Sequence, residues 1–425
     1  MTTRQRPLLS KWVDLLLLQF LIFLLFAAST PAAPSEDYFP VPGLMDLRTS
    51  FSDGAHCPED LVTMARLRGF RVLFFNDHHR TKITYGIAPF RNLLKYSKEL
   101  PSLMTHGPQL YLSEIERLSR LYPDMILVPG SILSPFYYWS GSLLRGDLTV
   151  HQYDRKVLAF NLTQAEDYER VPTFTPYSGD QGIAPFQETI DYVHRRGGFA
   201  FWNYPEQRLG VRKHGLVNVN TLPYPEVLYE STNYSGFAAI YGDHITATDP
   251  GKHWDRALTE YCEGKREKPA WGISTADFHE DGRLGLRLGA FPTTFLVKEF
   301  SKVAVLDALR KGRMYCSRGN GVSWPKLDYY NVLGPEGGKA HMGETLTTAG
   351  LPMIKFRISY KGEEKVPMTI HIFRGGALLR TVSGVTPLEF ELLDEGAPAG
   401  QKSYYRLVDT QKHLTSNPIF VRRQE

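Results

Sequence analysis

The sequence predicts an α/β barrel followed by a small all-β sandwich, and three observations carry that prediction. From Met45 to about Arg318, short apolar runs alternate with helix-like segments, as in a parallel sheet covered by helices. Two of these runs stop in a carboxylate and an imidazole: Val72-Leu73-Phe74-Phe75 leads to Asp77-His78, and Ala270 to Ser274 leads to Asp277-Phe278-His279. Ligand-type residues at the C-terminal ends of well-separated strands are the pattern of a barrel's active-site mouth. After about Trp324 the apolar residues alternate with period 2 between glycine turns, the signature of an antiparallel sandwich.

Element by element, Met45-Asp46-Leu47 begins a strand. Pro58-Glu59-Asp60 opens a helix through Leu61, Met64, Ala65 and Leu67 that stops at Gly69, with proline first, acids beside it and glycine at the end. Val72 to Phe75 is the next strand. Tyr111 to Leu121 is predicted helical and Met125 to Val128 a strand. Phe186 to Arg196 is a helix stopped by Gly197-Gly198, and Phe199 to Trp202 a strand. Ala238 to Tyr241 is a strand, Trp254 to Glu263 a helix, Ala270 to Ser274 a strand, and Val303 to Lys311 a helix ended by Gly312. In the tail, Ile354, Phe356, Ile358 and Tyr360, then Met368, Ile370 and Ile372, then Leu388, Phe390 and Leu392 each mark one face of a strand.

The bulk numbers set bounds. The 425 residues suffice for two or three domains at roughly 150 residues each. With 42% hydrophobic and 22% charged residues the composition is that of a globular protein with a sizeable core. A net charge of +4 without a basic block argues against nucleic-acid binding. Arg4, Arg6 and Lys11 precede an apolar run from Leu15 to Ala28 and the small residues Ser29-Thr30-Pro31-Ala32-Ala33, which reads as an export signal. The run is short for a bilayer span of about 20 residues, and an uncleaved anchor is the alternative. Residues 1–33 are therefore assigned to a signal peptide or N-terminal anchor, 34–323 to the barrel and 324–425 to the sandwich. The expected location is periplasmic or extracellular, with membrane contact only through the N-terminal segment if it stays uncleaved. Cys57, Cys262 and Cys316 form no paired motif; one bridge plus a thiol, or three thiols, fits them.

Asp and neutral His are ligands for Zn, Mn and Fe, and such ions activate water for hydrolysis. Asp46-Leu47-Arg48-Thr49-Ser50-Phe51-Ser52-Asp53-Gly54, Asn76-Asp77-His78 and Asp277-Phe278-His279 together resemble three motifs of the PHP (polymerase and histidinol phosphatase) superfamily of metal-dependent phosphoesterases. Its motifs run D-L-H-x-H-(S/T)-x-x-S-D-G, T-D-H, G-x-E, A-H-P and D-x-H. The resemblance implies a PHP-type distorted (β/α)7 TIM-like barrel. The segment from Leu306 to Arg313 is similar to the helix that closes such domains, and Ser416-Asn417-Pro418-Ile419-Phe420-Val421 to the end of a sandwich appended to some exported members.

The chain departs from the family at the ligands. Arg48 and Ser50 stand where the histidines of a shortened H-x-H would be, Ile132 replaces the bridging Glu in Gly130-Ser131-Ile132, and Tyr204 replaces the His of A-H-P in Asn203-Tyr204-Pro205. Asp53, His78 and His279 match the ligands of one ion and Asp277 a ligand of another. The resemblance therefore implies at most one divalent ion (Zn, Mn or Fe), held by Asp53, His78 and His279. Asp277 would be a further ligand or the base that orients water. Arg48 would clamp an anion, or else form a salt bridge with Asp46, Asp53 or Asp277. Tyr204 and Trp202, with Pro135-Phe136-Tyr137-Tyr138-Trp139, would add aromatic surface for a substrate, or merely pack a lid. His79 should face away from His78, His56 could reach inward, and Asp243-His244 ends a further strand. Two functions follow as expectations. One is a PHP-type hydrolase acting on an anionic, phosphorylated small substrate outside the cytoplasm. The other is a catalytically degenerate envelope protein that binds a glycan or other ligand.

Overall fold

The first strand, Phe39–Leu47, organises the fold, because it pairs antiparallel with Pro292–Val297 on one side and parallel with Val72–Phe75 on the other. This is a computed structural model. It describes residues 38–87, 89–242, 245–283, 286–362 and 365–425, of which Phe39–Glu425 form one unit. The expected export segment and Asp243-His244 lie outside the described residues. Among the described residues, no helix is long and apolar enough to cross a membrane.

The predicted βα rhythm is present with small shifts in boundaries. Helices run Pro58–Leu67, Pro108–Leu121, Ala184–Arg195, His253–Cys262 and Lys302–Lys311. The last is capped by Ser301, whose hydroxyl accepts from Ala304 N, and stopped by Gly312 in the left-handed conformation. The strands Phe199–Asn203, Gly236–Ile240 and Trp271–Ser274 run parallel, as expected. The sheet is nevertheless mixed. Lys156–Phe160 runs antiparallel between Gly130–Leu133 and Phe199–Asn203, and Pro292–Val297 and Met314–Ser317 are antiparallel too. In place of one parallel ring there are two sheets. The chain passes from one to the other where Val72–Phe75 continues into Asp77–His78, and where Ile126–Val128 continues into Gly130–Leu133.

The C-terminal strands form their own core around Ile354, Phe356, Ile370, Ile372, Leu407 and Ile419. Met353–Lys361 pairs with Trp324–Leu333 and Leu388–Leu393, and Pro367–Arg374 pairs with Ala377–Val385 and Lys402–Asp409, so each of the three predicted alternations lies in a strand. Leu414–Ser416 pairs with Met314–Ser317 and so extends the first sheet. Asn417 fastens this joint: its side chain accepts from Gly272 N at 2.8 Å and donates to Gly272 O and Met314 O at 3.0 and 2.9 Å. The buried Arg406 donates to both carboxylate oxygens of Asp255, each at 2.7 Å. All three cysteines are free, and only Cys57 is exposed.

Candidate metal centre

The strand ends deliver the predicted residues to one place. Asp46, Asp277 and Tyr204 follow or end parallel strands, and all three have left-handed backbone, with φ of 65°, 46° and 46°. Non-glycine residues rarely adopt this conformation, and such strain gathers at functional sites. The loop 49–54 wraps the buried Asp77, whose carboxylate accepts from Thr49 N and Thr49 Oγ1 at 2.8 Å and from Ser52 Oγ at 2.6 Å. Gly54 is required here, since a Cβ would stand 2.4 Å from Arg48 O. The loop thereby projects Asp53 toward His78 and His279, and Ala55 N donates to His279 O at 2.8 Å.

Asp53 Oδ2 lies 3.1 Å from His279 Nε2 and 3.6 Å from His78 Nε2. His279 Nδ1 donates to the Asp277 carbonyl at 2.6 Å. In the neutral ring that leaves a lone pair on Nε2 facing a carboxylate, so a cation must mediate: a proton on Nε2 or a metal ion. Burial favours neutral His78 and pushes its pKa down to about 4, more than the nearby Asp53 restores. Burial alone would raise Asp53, but hydrogen bonds and charge from His279 and His78 outweigh it and hold the carboxyl well below its usual range. Burial likewise opposes charge on His279, yet Asp53 and Asp277 win and raise it. Ile132 pairs with His78 in register and adds an apolar wall on the same face.

These distances test the fit of an ion. Nitrogen and oxygen ligands about 2.0–2.2 Å from a tetrahedral ion stand roughly 3.3–3.5 Å apart, and the two observed separations bracket that span. Among the described residues no group of three His, Cys, Asp or Glu side chains is already placed to hold a metal ion. The donor set, one carboxylate and two imidazoles with one imidazole oriented by a backbone carbonyl, suits Zn, Mn or Fe.

Arg48 is not open to a ligand. It is fully buried, donates to Asp46, to Asn76 O at 2.7 Å and to Asp277 Oδ1 at 2.8 Å, while Tyr204 OH donates to the other Asp46 oxygen. Burial disfavours its charge, but Asp46 and Asp277 more than compensate. Of the two roles the sequence allowed, the structure holds Arg48 in the salt bridge, where the guanidinium serves as a built-in cation. Its expected anion clamp is corrected accordingly. Trp202 is also misplaced by sequence: it is fully buried, donates to Ser231 Oγ at 2.8 Å and packs against Phe186 and Tyr224. Tyr204 does reach the site, packed at 5.0 Å on Tyr241. His79 faces away, with Nε2 donating to Tyr168 O at 2.7 Å. His56 stacks on Phe278.

Sequence reasoning missed Lys156 and Asn203. They are cross-strand partners, so their side chains share a face. The charge of Lys156 acts on both His78 and Asp277, and both amide atoms of the buried Asn203 lack a protein partner. A lysine at the head of the apolar run Val157 to Phe160 was the available signal. Asp46, Asp53 and Asp277 against Arg48 and Lys156 leave the cluster short of positive charge while the histidines are neutral.

Comparison with known proteins adds little. No protein-family model and no curated protein sequence matches the chain. Solved structures that align with the chain include two with low scores. A two-domain protein from Bacteroides vulgatus containing a predicted PHP-like metal-dependent phosphoesterase aligns with TM-score 0.42 at 11% identity, over 91% of this chain and 95% of that one. A provisional metal-dependent phosphoesterase from Bifidobacterium adolescentis aligns with TM-score 0.30 at 13% identity, over 56% of this chain and 87% of that one. At scores this low, neither likeness transfers a fold or an activity.

Proposed function

We propose that the chain is a single-ion hydrolase of the phosphoesterase class, acting outside the cytoplasm on an anionic, phosphorylated small substrate. The convergence of Asp53, His78 and His279 on one carboxylate oxygen carries this reading. The mixed sheet would then be the distorted barrel of the PHP superfamily, with 34–323 as its domain and 324–425 as the appended sandwich. The apolar run Leu15 to Ala28 supports export.

Asp53, His78 and His279 would hold one divalent ion, which supplies Lewis acidity toward a phosphoryl oxygen and lowers the pKa of bound water. Lys156, which is partly exposed, receives the substrate's phosphate oxygens. Asp277, ionised by the Arg48 charge, orients water through its carboxylate and fixes His279 through its carbonyl. Arg48, Asp46 and Tyr204 position Asp277 and stand where the family's neighbouring ions would be. A second reading, a binding protein without catalysis, is favoured by one observation: a proton on His279 would also satisfy the Asp53 contact. Hydrolysis of p-nitrophenyl phosphate at neutral pH with added Mn separates the two. Turnover lost in Asp53→Asn supports the hydrolase; wild type no better than Asp53→Asn overturns it.

A further inference from the structure

A cavity of about 750 Å³ is walled by the hairpin of Thr81–Gly86 and Lys95–Leu100, the segment around Trp139 to Leu148, and the hairpin of Val211–His214 and Val217–Asn220. Its lining is mainly apolar, with Ile83, Tyr85, Leu100, Trp139, Leu148 and Val217. Tyr153 and Asp154 also line it. Asp154 lies 3.9 Å from Lys156 Nζ, so the lining approaches the lysine assigned above to the substrate phosphate.

The rim pairs exposed leucines with cations. Leu93 is 80% exposed, Leu144 is 99% and Leu216 is 75%. The first hairpin brings Lys82, Lys95 and Lys98 with Arg91 between its strands, against Glu99 alone. The second has Arg212 and Lys213 with no acid within Val211–Asn220; Arg212 pairs with Asp154 of the lining, which leaves Lys213 as its uncompensated cation. Apolar tips beside cations suit the boundary of an anionic bilayer, where leucine enters the acyl region and lysine meets headgroups. A soluble sugar phosphate would need neither the tips nor a long apolar groove.

We propose that this groove takes the acyl chain of an anionic phospholipid from a membrane surface, with its phosphate toward Lys156. The headgroup half of this assignment rests on the proposed function; the acyl half does not. The probe is vesicles of phosphatidylglycerol brominated deep in its acyl chains, mixed with the full chain. Emission of wild type minus that of Trp139→Phe isolates the groove tryptophan from the others, including Trp12.

That difference should be quenched by brominated vesicles and not by unbrominated ones, and Ile83→Glu, which puts a charge in the groove, should abolish the quenching. Phosphatidylcholine should require on the order of ten-fold more lipid for equal quenching. No Trp139-specific quenching, or equal quenching by the two lipids, overturns the proposal. The readout does not depend on turnover. Quenching in a chain that binds no metal sinks the hydrolase and leaves the lipid groove; an active metalloenzyme without quenching sinks the groove alone.

Discussion

Replacing Arg48 by methionine tests whether the guanidinium is a structural cation or a ligand clamp. In the wild type Arg48 is fully buried between Asp46, also fully buried, and Asp277, which keeps 42% side-chain exposure. Methionine fills most of the volume but leaves Asp46 charged in a low-dielectric interior. Removing one member of a buried ion pair costs about 3–5 kcal/mol. At about 2.1 cal/mol/K of unfolding entropy per residue, a unit spanning Phe39–Glu425 should melt roughly 4–6 °C lower. Asp277→Asn should cost much less, because its carboxylate is partly solvated and Arg48 keeps Asp46. Adding Asp46→Asn to Arg48→Met should recover part of the loss, since the stranded charge is gone. Calorimetry of the four proteins reads this directly. An Arg48→Met variant that melts with wild type but loses affinity for inorganic phosphate would refute the reasoning.

Three further outcomes are expected. His78 and His79 are both held near 4 by burial, below the ordinary 6.5, so between those values the unfolded chain binds more protons and stability rises with pH; the unfolding free energy from denaturant titrations should fall from pH 7 to pH 5 by about 1–2 kcal/mol per histidine, and a flat profile contradicts this. His279, raised instead, contributes with the opposite sign, its share lost as pH climbs through its folded pKa. Lys156→Met should raise KM for a phosphate monoester roughly 10- to 100-fold, the worth of a charged hydrogen bond, without altering metal content; an unchanged KM removes Lys156 from the site. Trp202→Ala should cost about 3–5 kcal/mol of stability and leave phosphate binding intact, whereas loss of binding in a variant of normal stability would restore Trp202 to the substrate.

Much of the fold was legible because buried parallel strands and their helices write strong periodic signals, as from Pro58 to Phe75. Strand direction leaves no such mark, so the antiparallel Lys156–Phe160 and Pro292–Val297 went unread. The three segments that wall the groove were also invisible, because exposed hairpins need no regular apolar face. At the site, Asp53, His78 and His279 were singled out from strand-end residue types and from the family resemblance. Trp202 and Tyr204 were assigned together because both stand at the end of one apolar strand, where residues two apart ordinarily share a face. The positive φ at Tyr204 turns its ring away from that alternation, and no residue in Asn203-Tyr204-Pro205 announces it. The role of Arg48 depended on which acids surrounded it, and only the packing decides that.

Metal content is the most direct test of the central claim. The purified wild-type chain should carry about one equivalent of Zn, Mn or Fe by elemental analysis, as one Asp-His-His set allows, and His78→Ala with His279→Ala should carry none while remaining folded. A wild type as metal-free as the double variant, after growth in metal-replete medium and loading with each ion, would contradict the account.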